Sequence, residues 1–265
     1  MMISKEQNFR QKAIHSMVSA ISEKLANNQP SIYLYGSSVL NDFRLGWSDI
    51  DILVLTQKCI SQTQAQELVN LRQQLLEKEP KNPYYRLFEG GMLTLSAFCS
   101  KESDCVVYWG TSGQRITSTY YFDSFCMAEL LQNGQLLYGL EIRHHLVTPE
   151  YVDLYTDVKR HYESIRQYAQ TTDRSFYSFG WLLDIARGIY TLRNGTVVSK
   201  TEAGQWALEN SLCPVSAALE IALQVRKSPM AYDNNLEILN YAATLGPEIQ
   251  RFADVLEEEL NSVNI

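Results

Sequence analysis

The chain has 265 residues, 45% of them hydrophobic and 20% charged, which is the balance of an ordinary globular protein and excludes disorder as the dominant state. Its 30 acidic and 23 basic side chains leave a net charge of −7, which argues against a nucleic acid partner, because phosphate backbones need a basic surface. No run of about 18 apolar residues is available for a membrane span, and the polar stretch Met1 to Lys12 lacks an apolar signal-type core, so the expected location is the cytoplasm, with no membrane partner.

In chain order, Phe9, Ala13, Met17, Val18, Ile21 and Leu25 recur at helical spacing and predict an amphipathic helix over 6–28, closed by Asn27-Asn28-Gln29-Pro30. Ser31 to Tyr35 predicts a strand. Gly36-Ser37-Ser38 follows and is expected to open a short helix through Val39 to Phe43. Ile50 to Leu55 predicts a second strand and Gln62 to Leu76 a second amphipathic helix. Met92 to Phe98 and Cys105 to Tyr108 are strand-like around a polar turn at Lys101 to Asp104. Trp109-Gly110-Thr111-Ser112-Gly113 is a loop, and Phe122 to Leu131 a helix stopped by Asn133-Gly134. Beyond Gly139 the texture is helical only: 149–171, 174–193, 200–210, 214–226 and 234–262. Alternating strands and helices followed by helices alone predict an α/β domain joined to an all-α bundle. The expected domains are 1–145, a small mixed sheet with helices, and 146–265, a helical domain.

The charge is uneven. Residues 1–145 hold 13 basic and 14 acidic side chains, whereas 146–265 hold 10 and 16. An acidic second half suits a cationic small molecule; the alternative is a solvated surface, since Asp254, Glu257, Glu258 and Glu259 all fall in the last helix. The five cysteines are odd in number and show no CxxC spacing, which predicts reduced, mostly buried thiols.

The segment that carries chemistry runs from Tyr35-Gly36-Ser37-Ser38 to Trp47-Ser48-Asp49-Ile50-Asp51-Ile52-Leu53-Val54. Side chains two apart on a strand share a face, so Asp49 and Asp51 point the same way. Adjacent carboxylates repel unless a cation lies between them, and oxygen-only ligands with open positions favour Mg²⁺ shared with substrate phosphates. The apolar flanks make a solvated edge an unlikely use of two acids there. Gly36 lets the backbone approach a ligand, free N–H groups at a helix start bind phosphate, and the Ser37 hydroxyl adds a donor. The short connection between Ser37 and Asp49 allows a return into the next strand, which brings a phosphate cradle and a metal site together, as holding a nucleoside triphosphate requires.

These residues resemble the nucleotidyltransferase superfamily of the DNA polymerase β type, whose signature is an apolar strand, Gly-Ser, a short helix, then Asp-x-Asp in a second apolar strand. The layout is most similar to the aminoglycoside O-nucleotidyltransferases that adenylylate streptomycin and spectinomycin. A second stretch, Leu183-Asp184-Ile185-Ala186-Arg187 through Asn194-Gly195, Ser199-Lys200 and Trp206-Ala207, resembles that family's helical-domain segment. The resemblance implies an Mg²⁺-dependent enzyme with ATP as co-substrate, transferring AMP to a hydroxyl of a small molecule such as an aminoglycoside-type antibiotic, as a monomer or homodimer. It implies that Gly36 and Ser37 hold the triphosphate, that Asp49 and Asp51 bind the metal, and that Arg187 and Lys200 contact phosphates from the second domain.

The family's third acid, the general base, stands on a following strand. The counterpart here, Met92 to Ser96, holds no carboxylate. The nearest acid is Glu89, in Phe88-Glu89-Gly90-Gly91, where two glycines allow a bend toward the metal; Asp104, at a turn, is the second choice. Trp109, Trp181, Tyr177 and Asp184 are expected to line the acceptor site. Two alternatives stay open: a protein-modifying or antitoxin-type nucleotidyltransferase, and a non-catalytic nucleotide-binding protein on the same fold.

Overall fold

The computed structural model describes residues 5–110 and 113–263, with side chains from residue 8 onward. The first residues of the polar N-terminal stretch, and Thr111-Ser112 of the glycine-flanked loop, lie outside the described residues. The chain divides into two compact units that are discontinuous in sequence. Unit one holds the chain up to Asn41, then Asp49–Phe122 and Glu129–Val147; unit two holds Asp42–Ser48, Asp123–Ala128 and the chain from Thr148.

Unit one is a six-stranded mixed sheet with helices. Helix α1 (Lys5–Lys24) leads to β1 (Pro30–Tyr35), β2 (Ile50–Thr56), α2 (Gln62–Lys78), β3 (Phe88–Thr94), α3 (Leu95–Ser100), β4 (Val106–Gly110) and β5 (Gly113–Thr117). Helix α4 (Ser124–Asn133), whose first half belongs to unit two, then leads to β6 (Gln135–Tyr138). The strand order is β5-β4-β3-β2-β1-β6, with only β2 and β3 parallel, joined by the crossover helix α2. A capping box starts α2: the Ser61 hydroxyl accepts from the Gln64 amide and the Gln64 side chain accepts from the Ser61 amide.

Helices α1 and α2 pack together, and α2 also packs against β4 and β5. The fully buried Trp109 donates its indole N–H to the Leu68 carbonyl of α2 at 3.1 Å, so it belongs to this core and not to an acceptor site. Trp109 pairs with Gly90, and Gly90 with Ile52. By the strand period of two, Glu89 on β3 and Asp51 on β2 therefore face away from α2.

Several expected boundaries move, each for a local reason. The short helix after Gly36 is a single 3₁₀ turn, Gly36–Ser38, and the chain then runs irregularly to Ile50. The expected strand 92–98 ends at Thr94, whose hydroxyl accepts from the Ala97 amide at 3.2 Å and caps α3. Strand β3 in turn begins at Phe88, earlier than its apolar run suggests. The short strands β5 and β6 were not expected.

Unit two comprises α5 (Tyr151–Tyr168), α6 (Tyr177–Asn194), α7 (Lys200–Glu209), α8 (Ser216–Lys227), α9 (Pro229–Tyr232), α10 (Leu236–Ala242) and α11 (Gly246–Ser262). The apolar α6 packs against α5, α7, α8 and α11, burying Phe179, Leu182, Leu183, Ile185, Ala186 and Ile189. At about 1.5–3 kcal/mol per fully buried large aliphatic or aromatic side chain, α6 is the main apolar anchor of this unit. Gly195, in the left-handed conformation, ends α6, and the Ser199 hydroxyl caps α7. The expected helix 234–262 is broken after α10, because Pro247 in the first turn of α11 has no N–H with which to continue an incoming helix.

Three of the four acids singled out in the last helix are paired within the unit. Asp254 and Glu257 lie 2.6 and 2.8 Å from Arg166, and Glu259 pairs with Arg193. No cysteine is in a disulfide among the described residues; Cys59 and Cys99 are exposed and only Cys213 is buried, so the expectation of mostly buried thiols fails. Among the described residues no helix is long and apolar enough to cross a membrane.

Candidate functional site

In unit one the site forms where β1, β2 and β3 lie side by side. Tyr35, the last residue of β1, pairs with Asp51, and Asp51 pairs with Glu89. Directly paired strand residues point to the same face, so Asp51 and Glu89 are immediate neighbours on the face opposite α2. Asp49 stands two residues before Asp51, just ahead of β2. All three carboxylates are half-buried. Sheet register accordingly brings Glu89 to the aspartates, and it does so within a regular strand. The pairing register of β3 with β2 runs unbroken through Gly90 and Gly91. A side chain at Gly90 would collide with the Ile52 carbonyl of β2, and one at Gly91 would meet the Tyr120 ring at 2.6 Å. The glycines thus permit close strand pairing and let an aromatic ring lie on β3. Around that ring Phe122 sits 6.0 Å from Tyr120, 5.4 Å from Phe98 and 5.3 Å from Tyr35, forming an apolar surround beside the carboxylates.

The turn Gly36–Ser38 is tied to the same place. Gly36 has φ +68°, and a Cβ on it would strike the Asp51 carboxylate. Only glycine satisfies both conditions, so the turn and the metal-binding candidate are packed as one unit. The Ser37 hydroxyl faces the Asp49 carbonyl at 3.5 Å. The next residue, Ser38, escaped sequence reasoning: its hydroxyl oxygen is buried and has no hydrogen-bond partner among the described residues. A buried hydroxyl without a partner costs about 1–3 kcal/mol, and a phosphate oxygen would relieve that cost. Replacing Gly36 by alanine is expected to destabilise the fold by about 1 kcal/mol or more, since alanine is strained at this φ and its Cβ would displace Asp51. Thermal melts of wild type and variant check this.

Arg72, on α2, is another residue that the sequence did not single out. Its guanidinium donates to the Phe88 carbonyl at 2.6 Å, next to Glu89. Burial holds its pKa below the ordinary arginine value, and the negative charges of Glu89 and Asp49 work against that shift. A fixed cation thus offsets part of the repulsion among the carboxylates. Asp104, the second choice for the third acid, accepts from the backbone amides of Thr94 and Cys105, each at 2.7 Å, and serves as a turn anchor.

The donor set is all hard oxygen. Among the described residues no three His, Cys, Asp or Glu side chains gather closely enough to form a ready-made cage. Mg²⁺ does not need one: it is typically held by one or two carboxylates and completes its shell with water and substrate phosphates. Asp49 and Asp51 fit that requirement.

In unit two, Arg187 and Lys200 come together around Asp184. Lys200 is the first residue of α7 and its ammonium lies 2.8 Å from the Asp184 carboxylate on α6. Arg187 follows Asp184 by three residues on α6, and its guanidinium stands 4.9 Å over the Phe125 ring. Burial raises the Asp184 pKa, but Lys200, then His161 and Arg187, outweigh it and leave the carboxyl below its ordinary range. Tyr177 is largely exposed, and Trp181 is half-buried against the helical core.

Residues 17–85 match the family model for a nucleotidyltransferase domain, which takes in Gly36, Ser37, Asp49 and Asp51. Residues 151–253 match the model for the C-terminal domain of aminoglycoside adenylyltransferases, which takes in Arg187 and Lys200. Among solved structures, a crystal structure of spectinomycin adenyltransferase AAD(9) from Enterococcus faecialis, with ATP and spectinomycin, matches with a TM-score of 0.59 at 15% identity, covering 93% of this chain and 99% of that one. At that identity the likeness establishes the fold. No curated protein matches the sequence significantly.

Proposed function

We propose that this chain, a transferase with a nucleotidyltransferase domain and the C-terminal domain of an aminoglycoside adenylyltransferase, moves AMP from Mg²⁺–ATP to a hydroxyl of an aminoglycoside-type antibiotic and so confers resistance to it. The observation that carries this reading is the pairing of Asp51 with Glu89, beside a glycine turn that only the absence of a side chain allows to reach Asp51.

Asp49 and Asp51 would hold Mg²⁺, which when bound neutralises phosphate charge and favours ionisation of the attacking hydroxyl. The Gly36–Ser38 turn seats the triphosphate through backbone N–H groups and the hydroxyls of Ser37 and Ser38. Glu89 accepts the proton of the acceptor hydroxyl as its oxygen attacks the α-phosphorus. The bond from the α-phosphorus to the bridging oxygen breaks, and pyrophosphate leaves with the electron pair. Arg187 and Lys200 supply positive charge for the triphosphate. Positioning and electrostatics do most of the work, as in phosphoryl transfer generally.

The test is pyrophosphate release by the purified chain with ATP and Mg²⁺, across streptomycin, spectinomycin, other aminoglycosides and lincosamides. Release that depends on one of these acceptors, with a product heavier by one AMP, is the expected result. Label from ATP appearing on protein instead would favour the protein-modifying alternative. Nucleotide binding without release on any acceptor would favour the non-catalytic one.

A further inference from the structure

The loop between the Gly36–Ser38 turn and the Asp49/Asp51 pair is held by a buried network that no motif announces. Asp42 and Arg226 are both almost wholly buried, at 4% and 3% exposure. The Arg226 Nη2 donates to Asp42 Oδ2 at 2.6 Å, and its Nε reaches the same oxygen at 3.2 Å and the Thr201 hydroxyl at 3.1 Å. The Thr201 hydroxyl donates to Asp42 Oδ1 at 2.6 Å. Both carboxylate oxygens are therefore satisfied, as a buried ion pair requires. The same guanidinium lies 5.6 Å from the ring of Trp47, which stacks on Phe176 with the planes 10° apart. Within the loop, the Arg44 carbonyl accepts from the amides of Trp47 and Ser48 at 3.0 and 2.8 Å. All of these residues belong to unit two, although Asp42 to Ser48 lies in sequence between two halves of the nucleotide site in unit one.

We propose that Asp42, Thr201 and Arg226 form a clamp that positions the nucleotide site. It fixes the loop whose two ends carry the phosphate turn and the metal carboxylates, and through Thr201 it ties that loop to the start of α7, next to Lys200. The three are positioning residues; none of them touches a reacting atom. A buried ion pair is weak evidence for stability, because an apolar pair of similar volume often serves as well, but its directional bonds set one loop register where apolar contact would allow several. This inference rests on the proposed reaction for its kinetic consequences and on the loop alone for its structural ones.

The test uses the full chain with Thr201→Ser, Thr201→Val and the double change Asp42→Leu with Arg226→Met, which removes the charges together and leaves neither one buried alone. Two quantities are read: transfer kinetics, and hydrogen exchange of the Trp47 and Ser48 amides. The double variant is expected to stay folded, exchange these amides at least about tenfold faster, and lose about 10²-fold in kcat, the scale of a 1 Å misplacement. Thr201→Val shifts both readings in the same direction by less, and Thr201→Ser, which keeps the hydroxyl, restores them. Wild-type exchange in a folded double variant overturns the clamp, whatever the activity. Faster exchange with wild-type kcat and KM overturns its role in positioning the site. A wild-type chain that neither binds nor uses Mg²⁺–ATP sinks the proposed reaction instead, and the exchange measurement still decides whether the clamp holds the loop.

Discussion

Asp51→Asn is expected to reduce nucleotidyl transfer by at least about 10³-fold, because coordination of the phosphate-bound metal contributes several kcal/mol and each 1.36 kcal/mol is tenfold in rate. The change keeps the shape of the side chain and the packing of Gly36 against it, and it removes one negative charge from a site where Glu89 is the neighbour across the strand pair. Like charges directly opposite on a sheet are destabilising by about 0.2–1 kcal/mol, so the ligand-free variant should melt no earlier than wild type. If the proposed reaction holds, Mg²⁺–ATP raises the stability of the wild type by RT ln(1 + [L]/Kd), and that rise should shrink with the lost affinity. Asp49→Asn is expected to lower transfer in the same way. Thermal melts with and without Mg²⁺–ATP, alongside turnover, separate a binding defect from a folding defect. Unchanged turnover and an unchanged ligand-induced rise in Tm in either variant would remove the metal from these residues.

Glu89→Gln has the second largest expected effect, a fall of about 10²–10⁴-fold in kcat, the usual contribution of a positioned general base. Glutamine is isosteric, and Arg72 keeps its bond to the Phe88 carbonyl, so β3 should hold its register and nucleotide affinity should change by no more than a few-fold. The diagnostic is the pH–rate profile. Where the base must be ionised, activity falls on the acid side, and the shape of that limb should change in the variant because Glu89 no longer contributes to it and only the metal-binding carboxylates Asp49 and Asp51 still do. A Glu89→Gln enzyme that keeps both its rate and its acid limb would assign the proton to another acceptor. A variant that loses nucleotide affinity as much as rate would make Glu89 a metal ligand first.

Both predictions concern a site of which half was legible in the sequence. Asp49 and Asp51 stood out because strand geometry repeats every two residues, so local order alone places both carboxylates on one side. Gly36-Ser37 stood out because a glycine that follows a strand and opens a turn lets backbone N–H groups come close to a phosphate. The amphipathic helices were visible for the same local reason: a period of 3.6 is written in neighbouring residues, and α1, α2 and α5 to α8 came out close to their expected spans. Where a local signal conflicted with a stronger one, expectation failed. An apolar run from Met92 to Phe98 suggested strand, but the Thr94 cap turned its second half into helix.

The sequence by itself determined the alternation of strands and helices followed by helices alone, the acidic pair and the glycine turn. Each of these depends on residues a few positions apart. Tertiary structure alone decided that Glu89 stands beside Asp51, since strand register across a helical crossover is set by which apolar side chains reach the core and not by spacing in the chain. It alone joined Asp42 to Arg226 across 184 positions, because a buried charge finds its partner through packing, and no periodicity encodes that.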